Sequence, residues 1–215
     1  NTGGVMYASL PLCSATPWQI CAVGNVNGDN NSDLVWRHFV TTGMNAYYGW
    51  MMSGLGVKAS GFNIGNVQAW DIVAAGDLDG DGFADLVWQL PTGQVVSWRL
   101  NGDGTRKNGF WISSVVSSWR IRGAGDLDRD GIADLFWQLP AGQVACWLMK
   151  ADGTRKAGLT INGVASQWQI CGVGDMNEDG TADLAWQLPT GRVVAWLMNP
   201  NGTRKASVDI FNAAT

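Results

Sequence analysis

Four copies of a nine-residue acidic segment are the part of this chain best suited to chemistry, because their side chains offer the oxygen atoms that hard cations bind. Oxygen-bearing side chains stand at segment positions 1, 3, 5 and 9, and the first positions of the copies lie 52, 49 and 49 residues apart. Oxygens that alternate around a tight bend can point at one centre, which suits the demand of Ca²⁺ for about six to eight oxygen ligands. The predicted side-chain ligands are Asn25, Asn27, Asp29 and Asp33 in the first copy, Asp77, Asp79, Asp81 and Asp85 in the second, Asp126, Asp128, Asp130 and Asp134 in the third, and Asp175, Asn177, Asp179 and Asp183 in the fourth.

The remaining positions of the segment also favour calcium. A backbone carbonyl at position 7 would complete the ligand shell, and the residues at that position are Asn31, Phe83, Ile132 and Thr181. An EF-hand has a bidentate Glu at position 12, whereas every copy here has a tryptophan there and short apolar flanks in place of helices. We therefore expect a loop that joins two strands, with the Asp at position 9 as the last ligand. Zinc is disfavoured because the loops hold no Cys or His, and magnesium because it keeps its waters.

The alternative to a metal site is a metal-free turn rich in Asp, Asn and Gly. Four copies at a nearly fixed spacing favour calcium, so that up to four ions are expected, one in each copy. The first copy has only two carboxylates, those of Asp29 and Asp33. We expect it to bind calcium most weakly, because the charge of the ligands tunes affinity.

The acidic segments belong to a longer repeat of about 49 residues. Each unit contains four apolar runs of strand length, rich in Val, Ile, Leu and Trp and separated by turn residues, and no run has a sustained helical period. Four strands in a repeat of this length are typical of a propeller blade. We predict an all-β chain that forms a single β-propeller domain over residues 1–215. Its four-stranded blades are predicted at about 18–69, 70–118, 119–167 and 168–215, with residues 1–17 as an additional N-terminal strand or cap.

The hairpin in the middle of each unit predicts which side chains share a face. A three-residue turn that ends at Gly93 pairs Leu90 with Gln94. Because successive strand residues alternate between faces, Trp88 and Trp98 then lie on the same, strongly apolar face. The other face is mixed in character, as expected of a sheet stacked between neighbouring sheets.

The segment from Val173 to Trp186, V-G-D-M-N-E-D-G-T-A-D-L-A-W, and its counterparts resemble the FG-GAP and VCBS-type repeats of secreted bacterial proteins, which are related to the calcium-binding blades of integrin α-chains. The resemblance extends from about Trp18 to the end of the chain. It implies a β-propeller that holds calcium between the first two strands of each blade. Rings of about seven blades are common in that family, whereas four units are present here. A four-bladed ring, a ring completed by a second chain and a piece of a longer protein are all compatible with the sequence.

Composition narrows the range of partners. The formal net charge is −4, and 14 of the 18 acidic residues lie in the four loops. The basic residues are dispersed, which disfavours nucleic acid as a partner. No apolar run reaches the roughly 18 residues of a membrane span. The chain begins at Asn1 without a signal peptide, as we expect of a mature secreted protein, and weak calcium sites also suit an extracellular location.

The four cysteines are Cys13, Cys21, Cys146 and Cys171. A bridge between Cys13 and Cys21 would suit a secreted protein, but the sequence does not give the connectivity. Free thiols packed as small apolar groups are the alternative.

Two recurrent features are candidate ligand sites. Tryptophans at equivalent positions could stack on sugar rings, and basic residues in a repeated Gly-Thr-Arg-Lys motif could bind an acidic polysaccharide. The candidate ligand-binding residues are Trp98, Trp147, Trp196, Arg106, Arg155 and Arg204. The alternatives are packing between blades for the tryptophans and protection of exposed edge strands for the basic residues.

Together these features predict a secreted calcium-binding β-propeller that acts as a carbohydrate-binding, lectin-like or adhesion module, with calcium in a structural role and a glycan as the partner. The alternative is a protein–protein adhesion or assembly module that self-associates or engages another chain without binding sugar. We expect no enzymatic activity, because the chain has one histidine, His38, and few carboxylates outside the loops. A polysaccharide-active enzyme is the weakest alternative.

Overall fold

The computed structural model describes residues 18–39, 44–115 and 118–211, and in these ranges the chain forms sixteen β-strands and no helix. The strands form four antiparallel sheets of four strands, and each sheet follows the chain order. The first sheet contains β1 (Trp18–Gly24), β2 (Asp33–His38), β3 (Met44–Met52) and β4 (Lys58–Gln68), and the second contains β5 (Asp71–Gly76), β6 (Asp85–Gln89), β7 (Gln94–Leu100) and β8 (Arg106–Ser114). The third contains β9 (Arg120–Gly125), β10 (Asp134–Gln138), β11 (Val144–Met149) and β12 (Arg155–Ile161), and the fourth contains β13 (Gln169–Gly174), β14 (Asp183–Gln187), β15 (Val193–Met198) and β16 (Arg204–Phe211).

The turn between the second and third strands sets the register of each sheet. In the second sheet the N–H of Leu90 donates to the carbonyl of Gln94 at 2.9 Å. Gly93 closes the turn with a φ of 97°, a conformation that is cheap only for glycine. Trp88 pairs with Val96 across the two strands, so the predicted register is confirmed.

The four sheets are arranged as the blades of a β-propeller. The innermost strand of each blade contacts the innermost strand of the next: β1 contacts β5, β5 contacts β9, and β9 contacts β13. All four inner strands line a central cavity of about 260 Å³. The predicted all-β propeller of four-stranded blades is therefore confirmed.

Apolar side chains fill the spaces between adjacent blades. Leu86 and Trp88 of the second blade are buried in one cluster with Val35 and Tyr47 of the first. On the opposite face of the same strand, Val87 is fully buried in a cluster with side chains of the third blade. A middle blade thus packs on both faces, which explains why its second strand is apolar at successive positions.

Some predictions concern residues that the structure does not describe. Cys13 and the additional N-terminal strand or cap predicted over residues 1–17 lie outside the described ranges. Within them Cys21, Cys146 and Cys171 are free thiols. The described part of the chain contains no helix with the length and apolar character that a membrane crossing requires.

Candidate functional site

The acidic segments form the loops between the first and second strands of the blades, and the side chain at position 1 organises each loop. Asp77 accepts hydrogen bonds from Gly80 N at 2.7 Å through Oδ1 and from Gly82 N at 2.8 Å through Oδ2. The equivalent bond from position 6 measures 2.8 Å at Asp126 and 2.7 Å at Asp175. The first carboxylate of the loop therefore holds the surrounding backbone in a tight turn.

The aspartate at position 9 is fully buried in all four loops. Asp134 accepts a hydrogen bond from Leu127 N at 2.9 Å through Oδ2 and from Met149 N at 2.8 Å through Oδ1. Leu127 belongs to the loop and Met149 ends β11, so this carboxylate ties the loop to the third strand. The same pair of bonds is formed by Asp33, Asp85 and Asp183. The oxygens retain capacity for a cation, since an ionised carboxylate offers about four acceptor positions.

Burial shifts the pKa of two of these carboxylates, those of Asp85 and Asp134. It raises the pKa of Asp85 and of Asp134 to about 7, because a buried carboxylate loses its hydration, and neighbouring loop carboxylates raise the pKa further. The two backbone N–H donors act in the opposite direction. A divalent cation beside these groups would favour their ionised form.

Position 3 tests whether the loops suit a cation. Oδ1 of Asp79 and Oδ1 of Asp128 are buried and have no hydrogen-bond partner among the described residues. In the second loop one oxygen from each of Asp77, Asp79 and Asp85 lies within 4.8 Å of the other two. The corresponding group in the third loop is Asp126, Asp128 and Asp130. An unpaired, buried carboxylate oxygen beside two further carboxylates fits Ca²⁺, which takes oxygen ligands only.

In blades two, three and four, a lysine on the outer strand contacts the acidic loop of its own blade. Lys156 Nζ lies 2.8 Å from Oδ2 of Asp128 and 2.7 Å from Oδ2 of Asp130. Lys107 and Lys205 make the corresponding contact in the second and fourth loops, at 3.0 and 2.9 Å. The bonds to the two carboxylates raise the pKa of Lys156 above its usual range. Each lysine is a counter-ion built into its blade, a role that was not predicted from the sequence.

The first blade differs in both partners of this contact. Ala59 stands where the other blades have the lysine, directly after the first residue of the outer strand. The loop there has only two carboxylates, and Asn27 Nδ2 donates to Asp29 Oδ2 at 3.0 Å in place of a cation. The lysine is thus present only in the described blades whose loop is strongly acidic. Its presence in the same repeats as these loops is the feature of the sequence that could have revealed its role.

In blades two, three and four the side chain at position 7 faces the preceding blade. The Phe83 ring lies so near Gly28 that a Cβ on that glycine would be 2.9 Å from it. Thr181 Oγ1 accepts a hydrogen bond from Arg129 Nε at 2.7 Å, and Arg129 also pairs with Asp179 at 3.0 Å. Adjacent loops are therefore linked to one another. Metal coordination by the position 7 carbonyls of Asn31, Phe83, Ile132 and Thr181 stays a prediction.

The predicted ligand-binding tryptophans and arginines lie against each other. The guanidinium of Arg106 lies over the Trp98 ring at 4.4 Å, that of Arg155 over Trp147 at 4.8 Å, and that of Arg204 over Trp196 at 4.6 Å. A cation–π contact of this kind is worth about 0.5–1 kcal/mol at an exposed site. One face of each of these tryptophans is therefore covered by an arginine of the outer strand.

Blades two, three and four each have a groove lined by three tryptophans, which we call the tryptophan grooves. The lining tryptophans are Trp70, Trp88 and Trp98 in the second blade, Trp119, Trp137 and Trp147 in the third, and Trp168, Trp186 and Trp196 in the fourth. The groove volumes are about 230, 300 and 220 Å³ in that order. The middle tryptophan of each groove is buried, and its indole N–H has no hydrogen-bond partner among the described residues.

Residues that could serve acid–base catalysis are engaged in local contacts. His38 packs against a tryptophan ring, with centroids 4.6 Å apart. Asp71 and Asp209 form ion pairs with arginines. Asp103 and Asp152 each accept a hydrogen bond at 2.9 Å from the backbone N–H two residues later. The four carboxylates outside the loops therefore have structural partners.

Comparison with known repeat families agrees with the geometry of the loops. Residues 126–186 match the family model of the FG-GAP-like repeat, and residues 69–96 match that of the FG-GAP repeat. The chain carries FG-GAP repeats. The two matched segments contain the acidic loops of blades two, three and four, so the strongly acidic loops are part of the FG-GAP repeats.

Similarity of this FG-GAP propeller to solved structures is distant. A protein of unknown function from Bacteroides caccae shares 11% identity at a TM-score of 0.46, with 91% of this chain and 62% of that chain covered. A provisionally named 6-phosphogluconolactonase from Bacteroides uniformis shares 14% sequence identity at a TM-score of 0.46, with 86% of this chain and 66% of that chain covered. Sqt1 from Saccharomyces cerevisiae shares 13% sequence identity at a TM-score of 0.45, with 88% of this chain and 47% of that chain covered. The FG-GAP chain thus spans less than two thirds of each of these structures. No curated protein matches it.

Proposed function

We propose that this chain is a carbohydrate-binding module with one binding site in each tryptophan groove, and that calcium braces the blades that form these sites. The observation that carries the proposal is a recurrence. A groove lined by three tryptophans, with a buried indole N–H that lacks a partner, occurs at the same place in blades two, three and four. Repetition of an unsatisfied donor argues for a ligand atom that accepts from it.

The chemistry of each groove matches that of a sugar. A sugar ring combines apolar C–H faces with hydroxyl oxygens, and an aromatic-lined groove with one N–H donor matches both. In the third blade Trp119 and Trp147 supply apolar walls, and Trp137 supplies the donor. A buried donor without a partner costs about 1–3 kcal/mol, and a hydroxyl oxygen that accepts from it would remove that cost.

The size and charge of the grooves narrow the range of sugars that fit them. Volumes of about 220 to 300 Å³ lie at or below the lower end of sites for drug-sized molecules, which favours one sugar unit per groove. The fourth-blade groove also contains Arg192 and Arg204. Arg192 is paired with Asp209, so it is the charge of Arg204 that favours an acidic sugar there. Several equivalent weak sites would bind a polymeric glycan through avidity.

Calcium has a structural role in this proposal. The residues that would hold it are the carboxylates of the acidic loops, where it would neutralise charge. Asp134 closes its loop three residues before Trp137 on the same strand, so a rigid loop fixes the start of the strand that supplies the indole donor. Calcium sites of extracellular modules have dissociation constants of about 10⁻⁴ to 10⁻³ M. We place the protein outside the cell, where sites of that affinity would be occupied.

The test is a glycan array in calcium buffer, followed by calorimetry with the best glycan. The variant carries Trp88→Phe, Trp137→Phe and Trp186→Phe, which keep an aromatic ring but remove the indole N–H. We expect affinity for a single sugar unit to fall about fivefold at each site, as for the loss of one hydrogen bond of about 1 kcal/mol. The matched control is Trp111→Phe, because Trp111 is 59% exposed on β8 and lines none of the three grooves.

Two results would contradict the proposal. One is the absence of glycan binding by the unaltered protein in calcium. The other is unchanged sugar affinity of a triple variant that remains folded at the temperature of the measurement. Self-association without sugar binding would favour the assembly module instead.

A further inference from the structure

Adjacent blades are joined by one backbone hydrogen bond that recurs at every junction. The N–H at position 8 of each loop donates to the carbonyl at position 1 of the preceding loop. The three bonds are Ala84 N to Asn25 O at 2.7 Å, Ala133 N to Asp77 O at 2.6 Å, and Ala182 N to Asp126 O at 2.7 Å. This near-identity of distances makes the bond a regular feature of blade stacking.

A buried glutamine adds a second link between blades. Gln89 Nε2 donates to the carbonyl of Trp119 at 2.8 Å, and its Oε1 accepts from Ile121 N at 3.0 Å. Gln138 makes the same two bonds to the fourth blade, at 2.7 and 3.1 Å. The trailing face of a blade, which carries this glutamine, thus recognises the start of the next inner strand.

A glycine at the end of the inner strand permits this close approach. A Cβ on Gly76 would lie 2.8 Å from Cβ of Ala133, and a Cβ on Gly125 would lie 2.9 Å from Cβ of Ala182. Side chains do not tolerate such distances, so this position must be glycine wherever another blade stacks.

The fourth blade keeps these features on its trailing face, where the described structure places no further blade. A Cβ on Gly174 would meet no atom within 4 Å. Gln187 is exposed, whereas the two equivalent glutamines are buried. Met176 is 42% exposed, although the equivalent Leu78 is only 4% exposed. No contact among residues 18–39, 44–115 and 118–211 therefore explains why residue 174 is glycine, which weakens a strand relative to alanine.

The first blade presents the complementary leading face. Ile20 is 39% exposed, although the equivalent Ile121 is only 4% exposed. Ser32 occupies the loop position whose N–H donates across the other junctions, and it too is exposed. Trp18 C=O and Ile20 N–H correspond to the groups that Gln89 bonds in the third blade. The two ends of the chain therefore carry the two halves of one junction.

We infer that the trailing face of the fourth blade binds the first blade of a second copy of this chain, and that two copies joined head to tail close one ring. Within one copy the junction is not made. Among the described residues, β13 and β1 do not make the extensive contact that links the other inner strands, and Asp175 C=O is not bonded to Ser32 N–H. A contact between two different faces can close into a ring once a second copy supplies the missing partners.

The experiment measures mass by light scattering during size-exclusion chromatography in calcium buffer, across a dilution series. We expect the unaltered chain to be a dimer that dissociates on dilution. Gly174→Val should be monomeric at every concentration, because a valine clashes at the junction. At a dilution where the unaltered chain is also monomeric, the variant should have an unchanged or higher melting temperature, because the valine has open space in the single chain. The matched control is Gly125→Val, whose side chain would collide with Ala182 of its own chain and should lower the melting temperature.

A mixing experiment tests the head-to-tail arrangement. Ile20→Glu should also be monomeric, because it damages the leading face. A mixture of Gly174→Val and Ile20→Glu should form a one-to-one heterodimer, since each variant retains one intact face. A monomeric unaltered chain at every concentration overturns the inference, and so does a Gly174→Val protein that still dimerises. If the unaltered chain is a monomer and the Gly174→Val substitution lowers its melting temperature, the ring closes within one chain. That result would overturn the inference as well.

Discussion

Lys156 holds its ammonium nitrogen 2.7 Å from Oδ2 of Asp130, a residue 26 positions earlier in the sequence. The contact joins the outer strand of the third blade to its acidic loop. A permanent positive charge therefore stands beside the carboxylates that calcium would bind. The lysine partly neutralises the loop, and calcium would have to compete with it for the carboxylates.

Replacement of this lysine should separate its competition with calcium from its neutralisation of the loop carboxylates. In Lys156→Met we expect the calcium affinity of the third loop to rise roughly fivefold, because a nearby positive charge has been removed. The melting temperature in EGTA should fall, since the loop carboxylates then repel one another without a counter-ion. Calorimetric titration with calcium and thermal melts in EGTA measure the two quantities.

Lys150→Met is the matched control for that experiment, because it removes the same charge from an exposed turn residue of the same blade. It should leave both quantities near their original values. Equal calcium affinity in Lys156→Met and the unaltered protein would show that the lysine does not compete with the ion.

Positions 5 and 9 of a loop should respond differently to loss of charge. Asp134→Asn should lower the free energy of unfolding by about 2–3 kcal/mol even in EGTA, because an amide cannot accept from both Leu127 N and Met149 N as the carboxylate does. Asp130→Asn removes only a partly exposed ion pair, so its cost in EGTA should stay within about 1 kcal/mol. Urea unfolding in EGTA gives both values, and equal losses would refute the structural role of position 9.

The first loop should be the weakest calcium site, because it has two carboxylates and an amide at position 3. Asn27→Asp places a carboxylate where the second and third loops have Asp79 and Asp128. We expect the new charge to raise the affinity of this loop roughly tenfold. Calorimetry that counts bound ions before and after the change is the measurement. An unchanged binding curve would mean that the loop backbone, rather than its charge, prevents binding.

Calcium should stabilise the whole propeller. At a free concentration of ten times the dissociation constant, each independent site adds about 1.4 kcal/mol to the free energy of unfolding. Thermal melts across a calcium series should therefore rise steadily, and magnesium at the same concentrations should have a smaller effect. Identical melting in calcium and in EGTA would refute the metal sites.

The three described thiols should differ in reactivity. Burial raises the pKa of the Cys21 thiol to about 12, and the same cause raises that of the fully buried Cys146 well above its usual range. Cys171 is exposed and should react first with iodoacetamide, while Cys146 should react only after unfolding. Mass spectrometry of peptides from native and urea-treated protein gives the order. Rapid labelling of Cys146 in the native protein would contradict the burial of this residue.

Local features of the propeller could be read from the sequence because they depend on neighbours along the chain. The turn at Gly93 needs a residue that tolerates positive φ, and its position fixes the strand register. The spacing of Asp126, Asp128 and Asp130 places three carboxylates around one bend. The repeat length then specifies a four-stranded blade.

Contacts between side chains of different strands could not be predicted in the same way. Arg106 is a predicted ligand-binding residue, but the sequence did not predict that its guanidinium lies over Trp98. This contact arises because β8 pairs with β7 in the sheet and brings the two side chains together. The basic motif that contains Lys107 did not predict that this lysine reaches the acidic loop of its own blade. Both contacts follow from strand pairing that brings the ends of a blade together.

The sequence by itself determined the repeat, the strand pairing within a blade and the acidic loops, because each of these is encoded within about 50 residues of chain. Only the tertiary structure decided which faces stack, which tryptophans form grooves and which end faces remain open. Gly174 shows the difference. Its identity is visible in the sequence, but its meaning depends on whether another blade lies within 4 Å of it, and that is a property of the assembled sheets.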